Sequence, residues 1–168
     1  RQAGDIKTMV DEFAAFARVP KPVMEQSDLR DAVQESVILF RESHPALTYD
    51  LKMPETPILT SFDRRLITQA VTNLVKNATE AVESVAQNSS GSRGRVETVV
   101  RVLPDRYEID VIDNGIGLPK QNRSRLLEPY VTTREKGTGL GLAIVGRILE
   151  EHGGRIELGD AANKIPGQ

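Results

Sequence analysis

The stretch from Asp113 to Gly146 constrains this chain more than any other. It reads D-N-G-I-G-L-P, then a basic segment, then E-P-Y-V-T-T-R-E-K-G-T-G-L-G-L-A-I-V-G. Two glycine-rich turns flank a charged loop, and a helix is expected directly after the second turn. Glycine lets a backbone come close to a phosphate, and the unpaired N–H groups of a helix N-terminus attract an anion. The pattern predicts a phosphate-binding lid over about Pro119 to Lys136. With few side chains able to reach a core, that lid is expected to be mobile until its phosphate ligand arrives.

The remaining residues must build the floor beneath this lid. A chain of 168 residues is long enough for one domain with a short appendage and a sizeable core. The net charge of −2 supplies no global field for nucleic acid or an anionic membrane, so no nucleic-acid partner is expected. There are no cysteines, which excludes disulfides and thiolate metal sites and fits a reducing compartment. No apolar run approaches the roughly 20 residues of a spanning helix, so this stretch is expected to be cytoplasmic.

From the N-terminus, Ile6, Met9, Val10, Phe13, Phe16 and Ala17 form one helical stripe over residues 5–18, stopped by Pro20 and Pro22. That stripe needs a partner, either the domain itself or a helical bundle. Residues 23–26 read as a short strand. Ser27 and Asp28 then suit the start of a helix through Ser43, with Leu29, Ala32, Val33, Val37 and Phe40 inward. Residues 47–53 alternate as a half-buried strand, and 57–62 as another. The next helix, Arg64 to Ala86, has Ile67, Ala70, Val71, Leu74, Ala78, Val82 and Val85 as its stripe. A polar loop over 87–94 precedes a hairpin whose strands carry Val96–Leu103 and Tyr107–Val111. After the lid, a helix with Leu140, Ile144, Ile148 and Leu149 inward ends at His152-Gly153-Gly154, and residues 155–158 read as a last strand. His152 is expected as a helix-end residue and His44 as a surface one.

Two placements carry chemistry. Asn73, Asn77 and Glu80 share a face of the 64–86 helix, at i, i+4 and i+7. Asparagine is a poor mid-helix residue, because its amide competes for the backbone, so a pair one turn apart suggests oxygens wanted for binding. Asp113 stands at a strand end, where a carboxylate can accept from an exocyclic amine such as that of adenine or can stabilise its own turn. The glycines of Gly137-Thr138-Gly139-Leu140-Gly141 lack the dinucleotide-fold spacing, and no Walker-type loop, nucleophile elbow or H-E-x-x-H occurs.

Taken in order, the set is specific, and it resembles the N, G1, F and G2 boxes of the ATP-binding domain of sensor histidine kinases. These boxes are N-L-V-K-N-A-T-E-A from Asn73, D-N-G-I-G-L-P from Asp113, E-P-Y-V-T-T-R-E-K from Glu128 and G-T-G-L-G-L-A-I-V from Gly137. Residues 5–22 resemble the second helix of the dimerisation and phosphoacceptor domain, most like nitrogen-regulation kinases of the NtrY and NtrB type. The resemblance divides the chain into a bundle helix, 1–19, and an ATP-binding catalytic domain, 20–168. It implies an α/β (α+β) two-layer sandwich, a mixed sheet packed on three helices, known as the Bergerat or GHKL fold.

The resemblance also implies ATP and Mg²⁺ as cofactors, with Asn77 as metal ligand and Asn73 and Glu80 beside it. Asp113 would bind the adenine amine, and Gly115 and Gly117 would make room for the base. Tyr130, Thr132, Thr133, Lys136 and the backbone from Gly137 through Thr138, Gly139 and Leu140 to Gly141 would close over the phosphates. The acceptor would be a histidine on a bundle helix outside this chain, since neither His44 nor His152 matches the motif. The full-length protein would be a homodimer anchored in the inner membrane, passing phosphate to a response-regulator aspartate. The family's final strand is also missing, so the chain reads as part of a larger kinase. Three alternatives are a GHKL-type hydrolytic ATPase, an anti-sigma-like serine kinase and a nucleotide-binding interaction module. Hydrolysis is poorly served, because the residue four before Asn77 is Asn73, which is no base.

Overall fold

Among the described residues, periodicity of three to four builds three full helices, and alternation builds two sheets. The computed structural model describes residues 20–86, 93–117 and 141–160, with positions 6, 7, 10, 11, 14 and 126. In chain order the elements are β1 (Glu25–Asp28), α1 (Leu29–Ser43), β2 (Thr48–Lys52), β3 (Leu59–Phe62), α2 (Arg64–Ala86), β4 (Arg95–Val102), β5 (Tyr107–Asp113) and α3 (Gly141–Glu151). β2 pairs parallel with β4, and β4 pairs antiparallel with β5, so the larger sheet is mixed. β1 and β3 form a separate antiparallel pair.

The helices form one layer, with α2 between α1 and α3 and over β4 and β5. Alternation along β4 turns Val96, Thr98 and Val100 inward. From α2 come Val71, Val75, Ala78 and Val82, and from α3 Ala143, Ile144, Val145 and Ile148. These side chains join Val33 and Val37 of α1 in one apolar core. The expected two-layer sandwich with three helices and a mixed sheet is therefore the architecture observed.

Helix ends follow from local chemistry. Asp28 caps α1 with an extended backbone, and its carboxylate accepts from the Arg30 N–H at 3.0 Å. The same carboxylate accepts from Ile58 N–H at 3.0 Å, while the Arg30 guanidinium donates to Glu55 O at 2.6 Å. Asp28 therefore ties the 54–58 connection to the start of α1. The hydrogen-bonded Arg30 guanidinium outweighs burial and draws the Asp28 pKa down to about 2. At the other end of the chain, Gly154 N–H returns to Leu149 O at 2.7 Å and Gly153 has φ +73°, which closes α3 in the usual C-terminal way.

Three expectations change. β1 begins two residues later than the 23–26 predicted for it. Residues 155–158 form no strand: Ile156 packs its side chain on the core beside Gly146, and burial alone makes no ladder. His44 is half-buried, stacked on Phe40 with ring centroids 5.6 Å apart. Within the predicted lid Leu126 is described, and it is buried; the other lid residues lie outside the described residues. Positions 6, 7, 10, 11 and 14 are helical as expected, with Ile6 and Val10 exposed. Residues 87–92 of the polar loop lie outside the described residues. No helix among the described residues is long and apolar enough to cross a membrane.

Candidate functional site

α2 is the platform of the site, and its first turn is set by Asp63. That side chain is buried, accepts from Leu66 N–H at 3.1 Å as a helix cap, and accepts from Val23 N–H at 2.8 Å. Burial raises the energy of the carboxylate, yet the hydrogen bonds from Val23 and Leu66 outweigh it, and the net effect is a lowered pKa. Asp63 N–H also donates to His152 Nε2 at 3.0 Å, while His152 Nδ1 lies 2.8 Å from Ile148 O. With Nδ1 carrying the proton, the neutral ring satisfies both contacts, so the end of α3 is locked to the start of α2. The helix-end role predicted for His152 is thus accompanied by a long-range contact.

Asn73, Asn77 and Glu80 are half-buried on the C-terminal half of α2. The first turn of α3 comes up against this face: a Cβ placed on Gly141 would lie 3.9 Å from both Oδ1 and Nδ2 of Asn77. The amide of Asn77 therefore stands beside a helix start, where unpaired N–H groups favour an anion. Among the described residues no group of three or more His, Cys, Asp or Glu could hold a metal ion. A cation here would need oxygens from its ligand as well as from Asn77.

The turn after β5 closes the other side. Asp113 Oδ1 accepts from Gly115 N–H at 2.8 Å, the self-stabilising turn contact. Ile116 N–H donates to Ala81 O at 3.2 Å, laying the turn directly on α2. A Cβ on Gly115 would stand 2.4 Å from the backbone carbon and oxygen of Ala81. The absent side chain of Gly115 is thus required by the helix, whereas Gly117 has φ +82° and open space around it. Asn114, to which sequence reasoning assigned no role, pins the turn from outside. It accepts from Arg95 N–H at 2.8 Å through Oδ1 and donates to Arg93 O at 3.1 Å through Nδ2. Its place between a strand-end aspartate and a glycine was the available signal.

The structure thus gathers Asn77 with Gly141, and the Asp113–Gly115 turn with Ala81 of the same helix, while Gly117 stands in open space. Tyr130, Thr132, Thr133, Lys136, Gly137, Thr138, Gly139 and Leu140 lie outside the described residues. Beneath the site, Tyr49 Oη and Thr79 Oγ1 share a buried hydrogen bond of 2.8 Å, a pair with no signature in the sequence.

Known proteins resemble this chain over most of its length. The chain is 54% identical over 161 residues to the nitrogen regulation protein NtrY of Azorhizobium caulinodans, covering 96% of this chain and 21% of that protein. It is 35% identical to a putative NtrY-like sensor histidine kinase of Rickettsia conorii, covering 94% of this chain and 25% of that protein. The chain therefore spans about a quarter or less of these relatives. Among solved structures, full-length ShkA in complex with AMPPNP matches with a TM-score of 0.75 at 26% identity, over 95% of this chain and 35% of that one. The mycobacterial sensor histidine kinase MprB matches with a TM-score of 0.65 at 27% identity, over 78% of this chain and 81% of that one. The family model described as histidine kinase-, DNA gyrase B-, and HSP90-like ATPase matches residues 62–167, which include every residue of the candidate site. With more than half of its residues under that model, the chain belongs to the histidine kinase-, DNA gyrase B- and HSP90-like ATPase family.

Proposed function

We propose that residues 20–168 are the ATP-binding catalytic domain of a sensor histidine kinase and that residues 1–19 belong to its dimerisation and phosphoacceptor bundle. The observation that carries the reading is the Asn77 amide beside the first turn of α3, with the Asp113–Gly117 turn seated on the same helix. ATP would lie between these elements, its adenine amine toward Asp113 and its phosphates toward Gly141. Asn73 and Glu80 flank that path, and Tyr130, Thr132, Thr133, Lys136 and Gly137–Leu140 complete it by resemblance.

The donor set fits Mg²⁺. This small hard cation takes one or two protein oxygens and completes its shell with phosphates and water, and the Asn77 amide offers one such oxygen. When bound, the ion neutralises charge on the phosphates. The protein itself has mainly to position the γ-phosphoryl group and exclude hydrolysis. Asn73 stands where a water-orienting carboxylate would be needed, so the phosphoryl group is kept for transfer.

The acceptor is a histidine outside residues 1–168. His44 is half-buried and stacked on Phe40, and both ring nitrogens of His152 are held by Ile148 and Asp63. His152 also lies eleven residues along α3 from Gly141, about 17 Å away. The resemblance extends the proposal to a homodimer anchored in the inner membrane and to a response-regulator partner, in nitrogen regulation. The test is incubation with γ-labelled ATP, alone and with a separate polypeptide bearing the phosphoacceptor helix. Label is expected only on the added polypeptide, and a stable acid-labile label on this chain alone would contradict the assignment.

A further inference from the structure

We propose that the buried hydroxyl pair Tyr49–Thr79 is a positioning device for the face of α2 that carries Asn77 and Glu80. The inference rests on the assignment of Asn77 as metal ligand made above, and concerns what holds that ligand in place. Tyr49 projects from β2 and is 5% exposed, and Thr79 from α2 is 2% exposed. Their oxygens are 2.8 Å apart, joining residues thirty apart in sequence. Thr79 follows Asn77 by two positions and precedes Glu80 by one, so all three share one helical turn.

The other inward side chains of this part of α2 are Val75, Ala78 and Val82, short and apolar. Their burial drives the helix onto the sheet but is non-directional, so it does little to fix rotation about the helix axis. A hydrogen bond does, because it weakens steeply with angle. The Asp63 cap cannot supply this control, since it lies fourteen residues before Asn77, about 21 Å along the axis. Ile116 N–H steadies the next turn from the side, at Ala81. A rotation of about 10° would carry a side-chain oxygen roughly 6 Å off the axis through about 1 Å. Against an Mg–O distance of about 2.1 Å in near-ideal octahedral geometry, that displacement removes the ligand.

The tyrosine is itself held. Arg41 donates from Nη2 to Tyr49 O at 3.0 Å, and the His44 ring meets the Tyr49 ring edge-on at 6.4 Å between centroids. Burial pushes the phenol pKa upward, with the nearby Glu83 charge adding to it, so the hydroxyl stays neutral. A phenylalanine would pack in the same place. The hydroxyl, fully desolvated, is spent on Thr79.

The test measures the Mg²⁺ concentration that half-saturates binding of a fluorescent ATP analogue to the chain, beside its thermal midpoint. Tyr49→Phe and Thr79→Val are expected to need about tenfold more Mg²⁺, the low end for partners that orient a metal ligand. Thr79→Ser, which keeps the hydroxyl, should match the parent. The double variant Tyr49→Phe/Thr79→Val leaves no unpaired hydroxyl and should keep its fold while showing the same tenfold shift. Lowered midpoints with unchanged Mg²⁺ dependence would reduce the pair to a purely structural contact and overturn the proposal. Asn77→Ala separates the two claims: if it too leaves the Mg²⁺ dependence unchanged, the metal assignment fails and the proposal with it.

Discussion

The two ends of α2 meet different partners. At its start a single buried carboxylate, Asp63, caps the helix, receives the Val23 N–H and, through its own backbone N–H, engages His152. Toward its end, where Asn77 and Glu80 stand, a buried hydroxyl pair, a loop N–H and a steric seat meet the helix: Tyr49–Thr79, Ile116 and Gly115. The first end is therefore sensitive to charge and acid. The second is sensitive to shape. Separating them lets the frame be disturbed without moving the site, and the reverse.

Steric pressure on the second end should give the largest effect. In Gly115→Ala the new methyl would meet rigid helix backbone at 2.4 Å, so either the turn or the helix must move. We expect a loss of about 3 kcal/mol, the upper range for overpacking, with nucleotide affinity lost as well. Chemical denaturation and an ATP titration check both.

At the first end, Asp63→Ala removes the cap and leaves Val23 N–H without its acceptor, for a loss of about 2 kcal/mol. Nucleotide affinity per folded molecule should hardly change. If affinity falls as far as it does in Gly115→Ala, the two ends are not independent.

Acid sharpens the contrast further. Asp63 and Asp28 both have folded pKa values below the ordinary carboxylate value, Asp28 at about 2. Each contributes stability that is complete above the unfolded value of about 4 and is lost as pH falls through the folded one. The parent should weaken between about pH 4 and pH 2, and Asp63→Asn should show a shallower slope. Gly115→Ala should keep the parent slope. A parent slope in Asp63→Asn would remove Asp63 from the account. The smallest effect is expected for Gly117→Ala, about 1 kcal/mol for placing a side chain at φ +82° in open space.

Much of this was legible in the sequence where the cause is local. The cap at Asp28 and both ends of α2 follow from neighbouring residues and a long, regular hydrophobic period. Residues 155–158 misled, because alternation of Ile156 and Leu158 shows a half-buried extended segment but a strand exists only through a partner. Gly115 was legible as a required glycine but not for its reason, which lies 34 residues earlier in α2. Val75 and Leu66, both in the core, fell outside the predicted stripe, because a helix sandwiched between a sheet and two other helices buries more than one face. The Asp63–His152 contact spans 89 residues, and no residue type or spacing announces it.

The claim at the centre of the account is that α2 and the turn after β5 form one nucleotide site. Calorimetric titration of Mg²⁺-ATP into the parent, Asn77→Ala and Asp113→Ala tests it most directly. Asn77→Ala should lose the Mg²⁺-dependent part of the affinity, and Asp113→Ala should lose discrimination between ATP and GTP. If both variants bind ATP as the parent does, the site lies elsewhere.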